Sequence, residues 1–200
     1  MPKTIGVLAL QGDFREHINK IEKAGFTATE VRRSAELASI DALIIPGGES
    51  TTIAKLEDAA ANFTRAEADK LPIFDAIKKF VIGGLPVWGT CMGSIVLAKD
   101  IEGSKQGRIG LMDISVKRNA FGPQRASSEV LLDIPVLGET PFPGIFIRAP
   151  LFTKAGSEVE VLCEYSGGFV MARENNMLAT AFHPEITQDS RVHEYFFKMI

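Results

Sequence analysis

Cysteine is scarce in this chain: of 200 residues only Cys91 and Cys163 carry a thiol. Neither has a C-x-x-C neighbour or a partner at zinc-ligand spacing, so neither a disulfide scaffold nor a zinc module is expected, and free thiols suit a reducing, cytoplasmic setting. No run of Lys and Arg occurs and the formal net charge is only -3, which argues against nucleic acid or an anionic membrane as the main partner. No apolar stretch approaches the length that spans a bilayer, and the first residues lack the apolar core of a secretion signal. Internal repeats and low-complexity segments are absent as well. What is present is 46% hydrophobic content, enough for one well-packed core, so residues 1–200 are expected to form a single domain.

The order of apolar runs and glycines predicts an α/β fold. Residues 4–10 read as a buried strand running through Gln11-Gly12 into a helix with Phe14, Ile18, Ile21 and Ala24 at helical spacing, stopped by Gly25. A second strand is expected at 27–31, a short helix at 35–40, and a third strand at 41–45 ending in Pro46-Gly47-Gly48. A helix is expected to open after Ser50, with a polar, alanine-rich helical stretch over 57–71 and another helix over 73–81. Beyond Lys99 short strands are predicted at 110–117, 129–134, 144–148, 158–165, 168–173 and 177–182, with antiparallel pairing among them. Val192, Tyr195, Phe196 and Met199 mark a last amphipathic helix that runs to the end of the chain, which leaves open a longer natural C-terminus. Strands alternating with helices give a three-layer α/β/α arrangement around a mixed, mostly parallel, flavodoxin-like sheet.

The chemistry concentrates in two places. In Gly89-Thr90-Cys91-Met92-Gly93 a cysteine stands where the strand over 85–88 turns into the apolar run Ile95-Val96-Leu97-Ala98, a nucleophile elbow with glycines where a β-carbon would obstruct the turn. The positive end of the following helix favours a thiolate there. Ninety-two residues after Cys91 comes His183 in Ala181-Phe182-His183-Pro184-Glu185. In extended chain, positions two apart face the same side, so Glu185 can accept from one ring nitrogen while the other faces the sulfur. Cys91, His183 and Glu185 are therefore read as a catalytic triad for amide hydrolysis through a thioester. Gln11-Gly12, the loop 46–52 and the elbow all fall at carboxyl ends of strands, where ligands collect in parallel sheets. Backbone N–H groups of Gly48 and Met92 are candidate donors to an oxyanion.

Six segments occur in the order of one known family: Gly6 to Gly12, Pro46-Gly47-Gly48-Glu49-Ser50-Thr51-Thr52, the elbow, Arg118-Asn119-Ala120-Phe121-Gly122, Ile147-Arg148-Ala149-Pro150 and Phe182-His183-Pro184-Glu185. Over nearly its whole length the chain resembles the PdxT/SNO family of class I glutamine amidotransferases, the glutaminase subunits of pyridoxal 5′-phosphate synthase. The resemblance implies that Cys91, His183 and Glu185 are the triad and that Gly47, Gly48, Glu49, Arg118, Ile147 and Arg148 bind L-glutamine. It also implies ammonia delivery to a separate synthase subunit, and no metal or organic cofactor. Two guanidinium groups suit the α-carboxylate of glutamine, and Glu49 suits its α-ammonium. Met92 stands where the family more often has alanine, and 123–129 departs from the family pattern.

Read without the resemblance, the residues leave other accounts open. The same triad would serve another class I amidotransferase or a peptidase of γ-glutamyl substrates, and the fold could also serve a non-enzymatic interaction protein. Cys163 alternates with Val159, Val161 and Tyr165 and is expected in the core. His17 is expected to make a structural hydrogen bond, His193 to be solvated or to pack in the last helix, and the sequon at Asn62 to be a chance match.

Overall fold

The apolar runs between glycine-rich loops become neighbouring strands in the computed structural model, which describes residues 2–48, 72–120 and 127–200. In chain order the first half contains β1 (Thr4–Leu8), α1 (Phe14–Lys23), β2 (Thr27–Val31), a 3-10 turn at Ser34–Ser39, β3 (Ala42–Ile45), α2 (Ile73–Ile82), β4 (Val87–Thr90) and α3 (Met92–Leu97). The second half contains β5 (Ala98–Ile101), β6 (Met112–Lys117), β7 (Ser127–Leu132), β8 (Phe142–Ile147), β9 (Leu151–Ala155), β10 (Glu160–Tyr165), β11 (Gly168–Glu174), β12 (Met177–Thr180) and α4 (Arg191–Phe197).

One sheet runs β2-β1-β3-β4-β12-β11-β9-β6-β5, with β10 paired on β11, and β7 and β8 form a separate antiparallel ribbon. From β2 to β12 every pairing is parallel, and antiparallel pairing begins at β11. Every residue of β3, β4 and β12 is buried. Since successive side chains point to opposite faces, burial at every position means both faces of the sheet centre are covered, as expected of a three-layer α/β/α fold. The helix α1 packs on β1 and β2, burying His17 and Ile21, with Glu16 in its first turn and Lys20 and Lys23 in its last, as its dipole favours. Among the described residues no helix is long and apolar enough to cross a membrane.

Several expectations shift. The first strand ends at Leu8, and Leu10 lies beyond it in the loop leading to α1, packed against the core. The apolar run at the elbow divides: α3 closes at Leu97 and Ala98 opens β5, an edge strand paired parallel with β6 that helical spacing concealed. Strand β9 was also not expected, since Leu151–Ala155 is five residues long with three exposed positions in a row; it pairs with β11 and β6 and buries Phe152 against Phe169. In β10 a register shift between Val161 and Cys163 breaks the alternation, so Leu162 and Cys163 are both buried and Val161 is exposed. Burial raises the Cys163 thiol to about 11, with Asp133 and Glu164 adding to the shift, so it stays protonated and inert in the core. The last helix closes at Phe197, with Lys198 at its C-cap, rather than running to the final residue. The helices expected after Ser50 and over 57–71, and Asn62, lie outside the described residues.

Candidate active site

The turn from β4 into α3 is as tight as the glycine spacing implies. Cys91 sits at φ 47° and ψ -103°, a conformation non-glycine residues avoid, which holds the thiol out at the end of its strand. A β-carbon on Gly89 would collide with the backbone of Gly93, and one on Gly93 would run into the carbonyl of Ile45 on β3. The turn is held by Ser94 Oγ, which donates to the Cys91 carbonyl at 2.6 Å, and by the Cys91 N–H, which donates to the Thr180 carbonyl of β12 at 2.8 Å.

That last bond explains how two distant motifs meet. In the parallel pair of β4 and β12, Thr90 stands opposite Thr180, so the residues following each strand emerge side by side. The indole of the buried Trp88 strengthens the pairing by donating to Thr180 Oγ1 at 3.1 Å. Three residues past Thr180, the His183 N–H donates to the Ile145 carbonyl at 2.8 Å, tying the β12 exit to β8. His183 Nδ1 lies 2.7 Å from Glu185 Oε1, with both side chains buried. On its other face the ring lies against Gly47, where any β-carbon would strike it.

Burial lowers the affinity of the His183 imidazole for a proton, but the hydrogen bonds to the Cys91 sulfur and to Glu185, with the charges of both, outweigh it and raise His183 to about 10. The imidazolium is thus the resting form at neutral pH. Burial raises Glu185 against the opposing hydrogen bond from His183.

The sulfur opens onto a cavity of about 300 Å³ lined by Asp13, Gly48, Cys91, Ile95, Arg118, Asn119, Ile147, Arg148 and His183. Cys91 Sγ lies 3.9 Å from the Ile147 carbonyl. Arg118 and Arg148 arrive from the ends of β6 and β8, and the loops that carry them are joined by the Ala120 N–H to the Ala149 carbonyl at 3.2 Å. Both loops turn through a left-handed residue, Asn119 at φ 49° and Arg148 at φ 45°. One nitrogen of Arg118 donates to Gln106 Oε1 at 3.0 Å, which steadies its base.

Of the residues expected from sequence, Cys91, His183, Glu185, Gly47, Gly48, Arg118, Ile147 and Arg148 converge on this cavity and its wall. Glu49 lies outside the described residues. Met92 follows the elbow, but its side chain is buried in the core and does not line the cavity, so its bulk leaves the pocket unaltered.

Three lining residues were passed over. Asp13 follows Gln11-Gly12 directly, Asn119 sits inside the Arg-Asn-x-Phe-Gly segment, and Ile95 is one helical turn from Cys91, so each had a local signal. Asp13 Oδ2 lies 3.6 Å from His183 Nδ1, and Asp13, His183 and Glu185 offer ligand atoms within 4.8 Å of one another. That nitrogen is already engaged by Glu185, so the cluster reads as two carboxylates around one imidazole rather than a metal cradle. Less visible still were the partners behind Glu185. His193, expected to be solvated or packing, is fully buried and pairs with His17, whose expected structural hydrogen bond is present.

An elbow cysteine beside a His-x-Glu pair on an α/β sheet suits several cysteine amide hydrolases, and among them the relatives of this chain are glutamine amidotransferases. A solved structure described as a glutamine amidotransferase superposes with a TM-score of 0.86 at 45% identity, over 98% of this chain and 97% of its own. The chain belongs to the SNO glutamine amidotransferase family, whose model matches residues 7–200. Among curated relatives, the pyridoxal 5′-phosphate synthase subunit PdxT of Pelotomaculum thermopropionicum is 53% identical over 96% of this chain and 92% of its own. The PdxT subunit of Moorella thermoacetica is 50% identical over 98% of each.

Proposed function

We propose that residues 1–200 act as one glutaminase domain, which hydrolyses L-glutamine to L-glutamate and ammonia and hands the ammonia to a pyridoxal 5′-phosphate synthase subunit. The observation that carries the reading is the convergence of Cys91, His183 and Glu185, from the ends of two neighbouring parallel strands, on a cavity that also holds two arginines. The Cys91 thiolate attacks the side-chain amide carbon, and the oxyanion is met by the N–H groups of Gly48 and Met92. As the C–N bond breaks, the His183 imidazolium gives its proton to the departing nitrogen, which leaves as ammonia and leaves a thioester on Cys91. Neutral His183 then takes a proton from water, whose oxygen attacks the thioester, and glutamate departs as the thiolate re-forms. Glu185 holds the ring orientation and stabilises the imidazolium.

Arg118 and Arg148 would grip the α-carboxylate of the substrate, with Glu49 on its α-ammonium and Gly47, Gly48 and Ile147 shaping the walls. Asp13 is the one acidic side chain among the described lining residues. The partner follows from the PdxT relatives, and the setting proposed is cytoplasmic.

The test is to incubate the purified chain with glutamine, with and without a pyridoxal 5′-phosphate synthase subunit, and to measure glutamate and ammonia. Stoichiometric release that disappears in a Cys91→Ala variant is expected. Release of glutamate from γ-glutamyl peptides in preference to free glutamine, or unchanged release of ammonia from glutamine by Cys91→Ala, would overturn the reading.

A further inference from the structure

Behind Glu185, on the side away from the cavity, lie two histidines for which the reaction as described has no use. His17 of α1 and His193 of α4 are fully buried, 176 positions apart, with His17 Nδ1 3.1 Å from His193 Nε2. His17 Nε2 points the other way, 3.5 Å from Glu185 Oε2 and 3.4 Å from Thr90 Oγ1. The second oxygen of Glu185 makes no hydrogen bond among the described residues, so its 3.5 Å approach to His17 Nε2 is a close contact, and His193 Nδ1 is likewise without a partner. Trp88 presses edge-on against both imidazoles, at centroid distances of 5.5 Å and 4.9 Å, which fixes their planes.

Two independent arguments select one tautomer for the pair. If His17 carried its proton on Nδ1, the Thr90 hydroxyl could donate to Nε2, but the lone pair there would still face a carboxylate oxygen at 3.5 Å, an approach that is repulsive in a dry interior. His193 would then have to accept at Nε2 and carry its own proton on Nδ1, leaving a buried N–H with nothing to receive it. Orphaned buried donors are rarer in proteins than orphaned acceptors. With both protons on Nε2, His193 donates to His17 Nδ1, the His17 Nε2–H lies between Thr90 Oγ1 and Glu185 Oε2, and a lone pair on His193 Nδ1 is left over. Burial keeps both rings neutral, as that arrangement needs, with the charges of His183 and Lys20 adding to the effect at His17 and that of Lys20 at His193.

We propose that His17 is a positioning residue for the reaction: its Nε2–H holds the second oxygen of Glu185, and His193 fixes the tautomer that makes this possible. The chain of contacts then runs from His193 through His17, Glu185 and His183 to the Cys91 sulfur, and it links the helices α1 and α4 to the nucleophile. The inference rests on the catalytic roles of Cys91, His183 and Glu185 given above.

Glutamate release by the complex with the synthase subunit is to be measured for His17→Phe, which keeps the ring volume without a donor, and for His17→Gln, whose amide nitrogen can replace Nε2–H. A loss of a hydrogen bond to a buried charge should lower kcat at least about tenfold in His17→Phe with KM within about twofold of wild type, and His17→Gln should recover most of it. A His17→Phe variant within about twofold of the wild-type kcat, or equal losses in the two variants, would overturn the proposal.

Long-range 1H–15N spectra of the unsubstituted chain decide it should the variants not fold. Both His17 and His193 are expected as neutral Nε2–H tautomers, and an Nδ1–H signal from His17 refutes the arrangement. These spectra do not depend on turnover. Wild-type protein inactive on glutamine would therefore strike the proposed activity and leave the tautomers to be judged on their own.

Discussion

At the residue scale, the site is defined by side chains that have no room to be anything else. Gly47 shows this most directly, because the ring of His183 occupies the space a β-carbon would fill. Gly47→Ala should displace the imidazole from the sulfur and lower kcat about 100-fold, while thermal melting confirms that the fold persists. The charge state of His183 leads to a second expectation. Its proton is held up to about pH 10 by Cys91 and Glu185 against the pull of burial, so the acid proposed for the leaving nitrogen stays available through neutral pH. A pH profile of kcat should show its alkaline limb near 10 rather than near the ordinary histidine value of about 6.5, and a limb near 6.5 would contradict the pairing. The sequence displayed Cys91, His183 and Glu185 through spacing alone, since elbow glycines and an i, i+2 pair are local patterns. It did not display the roles of His17 and His193, because lone histidines carry no spacing signal and their partners lie far along the chain.

At the element scale, the decisive unit is the passage from β4 into α3. Gly93 lets α3 lie so close to β3 that its α-carbon faces the carbonyl of Ile45, and Gly89 lets the turn close on Gly93. A Gly93→Ala change has no flexible side chain to push aside, only backbone, so it should destabilise the protein by about 3 kcal/mol. Urea denaturation would measure this, and a loss under about 1 kcal/mol would mean that the elbow has more play than its packing indicates. Strands with a strong apolar signal, β1, β3, β4 and β12, were legible as strands from sequence, as were α1 and α2 from their 3.6-residue spacing. The misses were edge or short elements. β5 shares an apolar run with α3, and β9 is five residues with no alternation of buried and exposed positions, so it is recognised by what it pairs with. The bulge in β10 defeated a simple alternation for the same reason, since a register shift is a property of two strands together.

At the scale of the whole molecule, the helices of the two chain ends meet at one buried polar cluster. His17 comes from α1 near the start and His193 from α4 near the end, and both are kept neutral chiefly by burial, His193 at about 3. An imidazole whose affinity for protons is lower folded than unfolded stabilises the fold fully above the unfolded value of about 6.5. That contribution is lost as pH falls from there toward the folded value, because the unfolded chain then binds more protons. The melting temperature should therefore decline between pH 6.5 and pH 3, and His193→Phe, which removes one of the two titrating groups, should flatten that decline. An unchanged slope in the variant would show that other groups govern acid unfolding.

The sequence by itself determined the class of fold, the elbow and the His-x-Glu pair, because each is written in short-range spacing: a period of two or 3.6, a glycine at a tight turn, a motif of five residues. The family came from the resemblance of six segments in order along the chain. Only the tertiary structure decided that β12 lies in register beside β4, and so that sulfur and imidazole share a cavity. It also decided that arginines from β6 and β8 close that cavity from the other side, and that a pair of histidines stands behind the carboxylate. Those contacts join segments up to 176 positions apart, and which distant segments become neighbours is fixed by the pairing and burial of the whole sheet, not by any stretch of chain that could be read alone.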